Sequence, residues 1–264
     1  MPKFLIALLL LLISYTAHSQ ATWELGGALG GAGYTGDLNA SPFKPSGGSV
    51  GFFIKHNFNG YLSARFNYQY GKIAGADSTS NNTQQRQRNL SFTDGLTELS
   101  LMAEFNFMKY IPDAGKNKYT PYIYLGIGTT SFNPMAVYKG SDVELRALRT
   151  EGQTAEYGKS TIVIPYGAGF KYNFSGKWTV AAELGYRYTH TDFLDDVSGY
   201  YAPHNQLPPG QLSLALADRS GERTGTYVGS PGSQRGDLRS KDIYAFFGFT
   251  LSYTFVTEKC YYEQ

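Results

Sequence analysis

Residues 177–193, KWTVAAELGYRYTHTDF, alternate in character along their length. Trp178, Val180, Ala182, Leu184, Tyr186 and Tyr188 fall on one side, and Thr179, Ala181, Glu183, Gly185, Arg187 and Thr189 on the other. Successive strand side chains point to opposite faces, so this segment has one apolar, aromatic face and one that is small, polar or charged. Residues 242–256 repeat the pattern, with Ile243, Ala245, Phe247, Phe249, Leu251, Tyr253 and Phe255 opposite Asp242, Gly248, Thr250, Ser252 and Thr254. Six more segments fit, near 23–33, 48–57, 61–72, 96–107, 119–131 and 161–174, the first of them dominated by glycine on both faces.

The connections decide what eight such strands build. NFNG joins the second strand to the third, and NFSGKW the sixth to the seventh; MKYIPDAGKNK, of moderate length, joins the fourth to the fifth. The other four, 34–46, 73–95, 132–160 and 194–241, are longer and rich in Ser, Asn, Gly, Pro and charge. Strict alternation of short and long is the order of periplasmic turns and extracellular loops in outer-membrane barrels. A soluble sandwich or lipocalin would turn its aromatic face inward and has no need of alternating loop lengths. The expected fold is all-β: an eight-stranded antiparallel transmembrane β-barrel of outer-membrane type, with short periplasmic turns and long extracellular loops.

Composition agrees. No segment beyond the N-terminus offers the roughly 18 uncharged apolar residues of a membrane helix, whereas barrel strands need only about 9–11 alternating ones. A net charge of +2 is too small to indicate a nucleic-acid partner. At the N-terminus, MPKFLIALLLLLISYTAHSQ has one lysine, an apolar run from Phe4 to Ile13, and small residues at Ala17 and Ser19. This reads as a secretory signal peptide over 1–19, with Gln20 or Ala21 starting the mature chain and no cysteine for a lipid anchor at that end. The barrel is then expected over 20–256 and a periplasmic C-terminal tail over 257–264. The single Cys260 forms no internal disulfide, which leaves a free thiol or an intermolecular bridge.

The face opposite the aromatics collects Glu24, Glu98, Glu104 and Glu183 with Lys55, Arg65, Lys171 and Arg187. In a barrel this narrow the side chains fill the interior, where charges must pair. The expected result is a lumenal network of ion pairs and hydrogen bonds, a plug rather than a pore.

Motifs for chemistry are weak. GAGYTG, Gly31 to Gly36, satisfies G-x-G-x-x-G but lacks the following helix that a dinucleotide fingerprint requires. Arg235-Gly236-Asp237 matches an adhesion tripeptide, a short pattern in a loop of this composition. Asp192, Asp195 and Asp196 do not have EF-hand spacing. Of His56, His190 and His204, only His190 has a base-orienting carboxylate at hand, Asp192, and no nucleophile stands at a defined spacing. Neither catalytic residues, cofactor nor metal site is assigned. Thr189 to Phe193 are expected to finish the seventh strand. Asp195 onward then opens the longest loop on the outer side, with the acids among water and headgroups, capping strand ends, pairing with Arg219 or Arg223, or binding an adventitious divalent ion.

RNLSF (88–92), ELSLMAEFNF (98–107), TPYIYLGIG (120–128), FNP (132–134), TEGQ (150–153), IPYGAGFKYNF (164–174), TDFLDDVSGYY (191–201) and LADRSGE (216–222) occur in this order. Together they resemble the PorG-type outer-membrane barrel of the Bacteroidetes type IX secretion system, over nearly all of the mature chain; 223–241 and parts of DLNASPFKPSGG match no motif. The resemblance implies a non-enzymatic outer-membrane subunit that contacts, on the periplasmic side, a ring built by a lipoprotein and its partner subunit. Such machines export proteins with a C-terminal signal domain and, in gliding species, deliver motility adhesins. Outer-membrane lipids are then the surroundings, with no nucleic acid and no small-molecule substrate. Residues 108–118 and 256–264 become the candidate contact face, through Lys109, Lys116, Lys118 and Cys260. The alternative is an OmpA-like structural or adhesive barrel whose long loops bind ligands outside.

Overall fold

The computed structural model describes residues 22–39, 45–112, 116–238 and 241–255. The signal peptide read over 1–19 and the tail over 257–264, with Cys260, lie outside the described residues.

The strands are β1 (Thr22–Thr35), β2 (Pro45–Asn57), β3 (Leu62–Ala76), β4 (Ser91–Asn106), β5 (Tyr119–Ser131), β6 (Met135–Tyr138), β7 (Ser141–Glu144), β8 (Ser160–Ser175), β9 (Trp178–Thr189) and β10 (Ile243–Phe255). β1, β2, β3, β4, β5, β8, β9 and β10 pair antiparallel, each with the next, and β1 with β10 closes the ring. The protein is therefore a closed eight-stranded antiparallel barrel. β6 and β7 form a hairpin in the connection from β5 to β8, tied to β4 by the pair Thr93–Met135.

The exterior fits lipid. Leu29, Phe52, Leu101, Leu125, Ile127 and Phe249 are 55–72% exposed on the outward face, an apolar band suited to hydrocarbon rather than to water. Aromatics gather at the periplasmic edge, among them Trp23, Phe107, Tyr119, Phe174 and Trp178, where amphipathic rings suit the interface between hydrocarbon and water.

Several strands exceed the 9–11 residues needed to cross a bilayer. β3 has 15 residues and β4 has 16, and they stay paired up to Ala76–Ser91. Their outer ends, with those of β1 and β10, wall in a buried apolar cluster that includes Tyr34, Ile73, Phe92, Leu96, Leu194 and Leu216. The long connections supply its lid. Short helices α1 (Thr83–Arg88) and α2 (Gln211–Ala217) lie in two of them, and α2 buries Leu216 in the cluster. Fully burying a Leu or Phe side chain stabilises by about 1.5–3 kcal/mol, so the outer mouth holds a small core of its own.

Candidate functional site: an ion-paired lumen beneath a folded cap

The lumen comes first, because alternation places its charges. Seven of the eight charged residues read from the sequence as inward-facing are at most 4% exposed; Glu183 keeps 14% of its side chain accessible. Lys55 bonds Glu24 at 2.8 Å and approaches Glu104 at 3.7 Å, Lys171 bonds Glu104 at 2.6 Å, and Arg65 reaches Glu104 at 3.0 Å. Arg65 also forks onto both oxygens of Glu183, a bidentate geometry only a guanidinium offers. Further out, Arg187 bonds Glu98 at 3.1 Å, and Glu98 accepts from Tyr244 at 2.7 Å and Ser100 at 2.8 Å. Four acids and four bases thus neutralise one another across the barrel.

The inward face is less purely polar than alternation implies. Phe53, Tyr122, Tyr124 and Phe246 are buried among the charges. The Arg65 guanidinium lies between the rings of Phe53 and Tyr124, at 5.1 and 5.3 Å, and Lys171 stands 4.0 Å from the centre of Tyr122. Cations over aromatic faces gain electrostatically where water is scarce. Glycine makes the room: a Cβ on Gly26 would sit 2.2 Å from Phe53 Cζ, and one on Gly185 would sit 1.9 Å from the Tyr124 hydroxyl. Of the glycines that blur the first strand in the sequence, Gly26 leaves the space into which the lumenal ring of Phe53 fits.

At the periplasmic mouth the connection after β4 folds inward. Tyr110 is 5% exposed, its hydroxyl 2.6 Å from Thr179 Oγ1 and its amide donating to Gly60 O at 2.9 Å. Lys109, Lys116 and Lys118 flank it and are exposed.

On the outer side the structure corrects the reading of 189–201. β9 stops at Thr189, four residues before Phe193, and there Thr189 Oγ1 donates to Asp242 O at 2.8 Å. Asp195 and Asp196 are 1% and 0% exposed, within the folded cap rather than among headgroups. Neither pairs with Arg219, which bonds Glu222 at 2.9 Å, nor with Arg223, which donates to Arg86 O. Asp196 instead meets Arg235, 2% exposed, which donates to Asp196 O at 2.8 Å and bonds Glu151 at 2.9 Å. The Arg-Gly-Asp stretch is therefore a buried tie, not a displayed tripeptide.

Glu151 also accepts from the amides of Ser198 and Gly199, while Asp196 accepts from Thr150 at 2.5 Å and Tyr157 at 2.7 Å. TEGQ and TDFLDDVSGYY, distant in sequence, are thus one knot. His190 lies against Ile162 O at 3.4 Å, whereas Asp192 engages Ser198, so the two do not form an acid–base pair.

Sequence reasoning missed a second grouping. Asp37 follows β1, Asp242 precedes β10, and both meet Asp195, with one carboxylate oxygen from each within 4.8 Å of the others. Tyr34 donates to Asp195 Oδ2 and lies 3.3 Å from Asp242 Oδ1. Burial, reinforced by the repulsion of neighbouring carboxylates, pushes all three carboxyls up, Asp37 to about 7. The available signal was an aspartate just beyond each of the two strands that close the barrel.

A closed, filled, lipid-faced barrel with short turns on one side and a folded cap on the other is an eight-stranded barrel of the outer-membrane type. Residues 2–213 match the family described as Domain of unknown function (DUF6089), and the chain belongs to that family. None of the curated proteins compared with it matches. Among solved structures, a major outer membrane protein from Thermus thermophilus is similar at 11% identity and TM-score 0.43, over 90% of this chain and 100% of that one. The outer membrane protein OprG from Pseudomonas aeruginosa is similar at 9% identity and TM-score 0.41, over 90% and 98% of the two chains. The E. coli Outer Membrane Protein W is similar at 12% identity and TM-score 0.38, over 90% and 100%. These likenesses are remote, and the fold rests on the strand pairing itself.

Proposed function

We propose that the protein is a non-enzymatic outer-membrane component of a type IX protein secretion system, anchoring or assembling the periplasmic ring at the outer membrane. The observation that carries this reading is the collinear resemblance of eight sequence blocks to the PorG-type barrel. The same reading has the chain exported by its signal peptide to the bacterial outer membrane. A lumen filled by ion pairs and rings suits a rigid post that holds a partner better than it suits a conduit. The partners are the ring lipoprotein and its companion subunit, and the contact runs through the periplasmic face that carries Lys109, Lys116 and Lys118, together with Cys260. Gliding motility follows where the machine serves it.

Deleting the gene tests the role: proteins with a C-terminal signal domain should cease to be exported. In intact cells, amine cross-linkers at Lys109, Lys116 and Lys118 should capture periplasmic partners, and the ring subunits should co-purify from detergent-solubilised membranes. Reaction of these lysines only with surface-applied reagents would reverse the orientation. An alternative, a structural or adhesive barrel of OmpA-like kind, is favoured by the folded cap, which displays Tyr200 at 54% and Tyr227 at 68% exposure. Unchanged export with altered adhesion would replace the first reading with this one.

A further inference from the structure

We propose that Asp37, Asp195 and Asp242 bind one calcium ion, which clamps the outer cap to the barrel rim. The proposal is independent of the secretion role.

Geometry is the first support. Ca²⁺ takes oxygen ligands at about 2.3–2.6 Å, so two ligands on one ion can be no more than about 5 Å apart. One oxygen from each carboxylate meets that condition at 4.8 Å or less. The carboxylates are also held in place. Asp195 Oδ1 accepts from the Val197 amide at 2.9 Å, Asp242 Oδ2 accepts from the Leu194 amide at 3.0 Å, and Asp37 Oδ1 accepts from the Asp237 amide. Each thus spends one oxygen on the main chain and keeps a second.

The second support is a buried acceptor with nothing to accept. Asp37 is 1% exposed, and its Oδ2 has no hydrogen-bond partner. Asp195 Oδ2 and Asp242 Oδ1 converge on the single hydroxyl of Tyr34. One phenolic proton cannot satisfy both of these carboxylates, and Asp37 Oδ2 receives none.

The third is a shortage of positive charge. Buried carboxylates without a counter-charge are costly. The nearby Arg88 pairs with Asp77 at 2.7 Å and donates to the main-chain oxygens of Asp37 and Arg235. No salt bridge reaches Asp37, Asp195 or Asp242 among the described residues. A divalent cation would supply what the side chains do not.

The donor set chooses the ion. Three carboxylates, with no histidine or cysteine, favour a hard cation over zinc or copper. Anionic oxygens arriving from three separate segments suit the larger, geometrically tolerant Ca²⁺ better than Mg²⁺, which keeps several waters. An ion here joins the end of β1, the start of β10 and the longest connection, so it would fasten the cap where that connection leaves and rejoins the barrel.

The test uses the full chain in detergent, stripped with a chelator and titrated with CaCl₂. One Ca²⁺ per protein should bind in calorimetry and protect the 190–242 connection from trypsin, with MgCl₂ at equal concentration giving little protection. Asp37→Asn and Asp242→Asn should each weaken binding by about tenfold or more, while the barrel retains its heat-modifiable mobility on gels. Should either variant fail to fold, the metal content of the wild-type protein purified without chelator decides the question: one calcium per chain is expected, and none would overturn the proposal. The proposal is overturned as well if millimolar Ca²⁺ neither binds nor protects. It is equally overturned if the Asn variants resist trypsin better than the wild type without calcium, since shared protons would then hold the acids together.

Discussion

Glu104 accepts from Lys171 and faces Arg65 and Lys55, so three cations share one carboxylate in a space closed to water. Removing that charge leaves Lys171 without its carboxylate partner, while Lys55 keeps Glu24 and Arg65 keeps Glu183, and breaking a buried pair costs about 3–5 kcal/mol. Glu104→Gln should therefore lower the midpoint of urea unfolding sharply, followed by fluorescence of Trp23 and Trp178. The contrast is Glu222→Gln, which breaks the more accessible pair with Arg219. That change should cost less than about 1 kcal/mol. Equal losses in the two variants would contradict the view that the lumenal network bears the barrel's electrostatic load.

Within the strands, small residues and rings are matched across neighbours. Gly26 pairs with Phe53 on β2, and the ring occupies the volume that a side chain at 26 would need. Gly26→Val should destabilise by about 1–3 kcal/mol through overpacking. Combined with Phe53→Ala, it should cost less than the sum of the two single changes, because the second removes the clash created by the first. Strict additivity would show that the two sites do not share this space. The same matching explains why β1 looked indistinct in the sequence. Its glycines weaken the alternation, yet Gly26 and Gly31 are required by the rings of Phe53 and Phe247 on the neighbouring strands. The seventh strand shows the opposite: alternation continues to Phe193, but β9 ends at Thr189, where the chain enters the folded cap.

For the molecule as a whole, the paired charges and lumenal rings leave little free volume. The gap beside Arg65, Glu183 and Arg187 amounts to about 20 Å³, about enough for one water. The purified protein in a planar bilayer should give no regular conductance steps, and a steady ohmic channel would refute the plug. Alternation determined the strand number, the outward apolar face and the inward position of eight charged residues, because the two faces of a strand are set by a local period of two. Loop lengths determined which end is capped, since lengths are counted along the chain. Only the tertiary structure decided which charges meet: Arg65 and Glu183 are 118 residues apart, and Tyr34 and Asp195 are 161 apart. It also decided that the acids of 189–201 are buried, in a knot with Glu151 and Arg235 and beside Asp37 and Asp242. Those meetings depend on how the closed barrel sets its rims and loops against one another, a distance that no neighbouring residues encode.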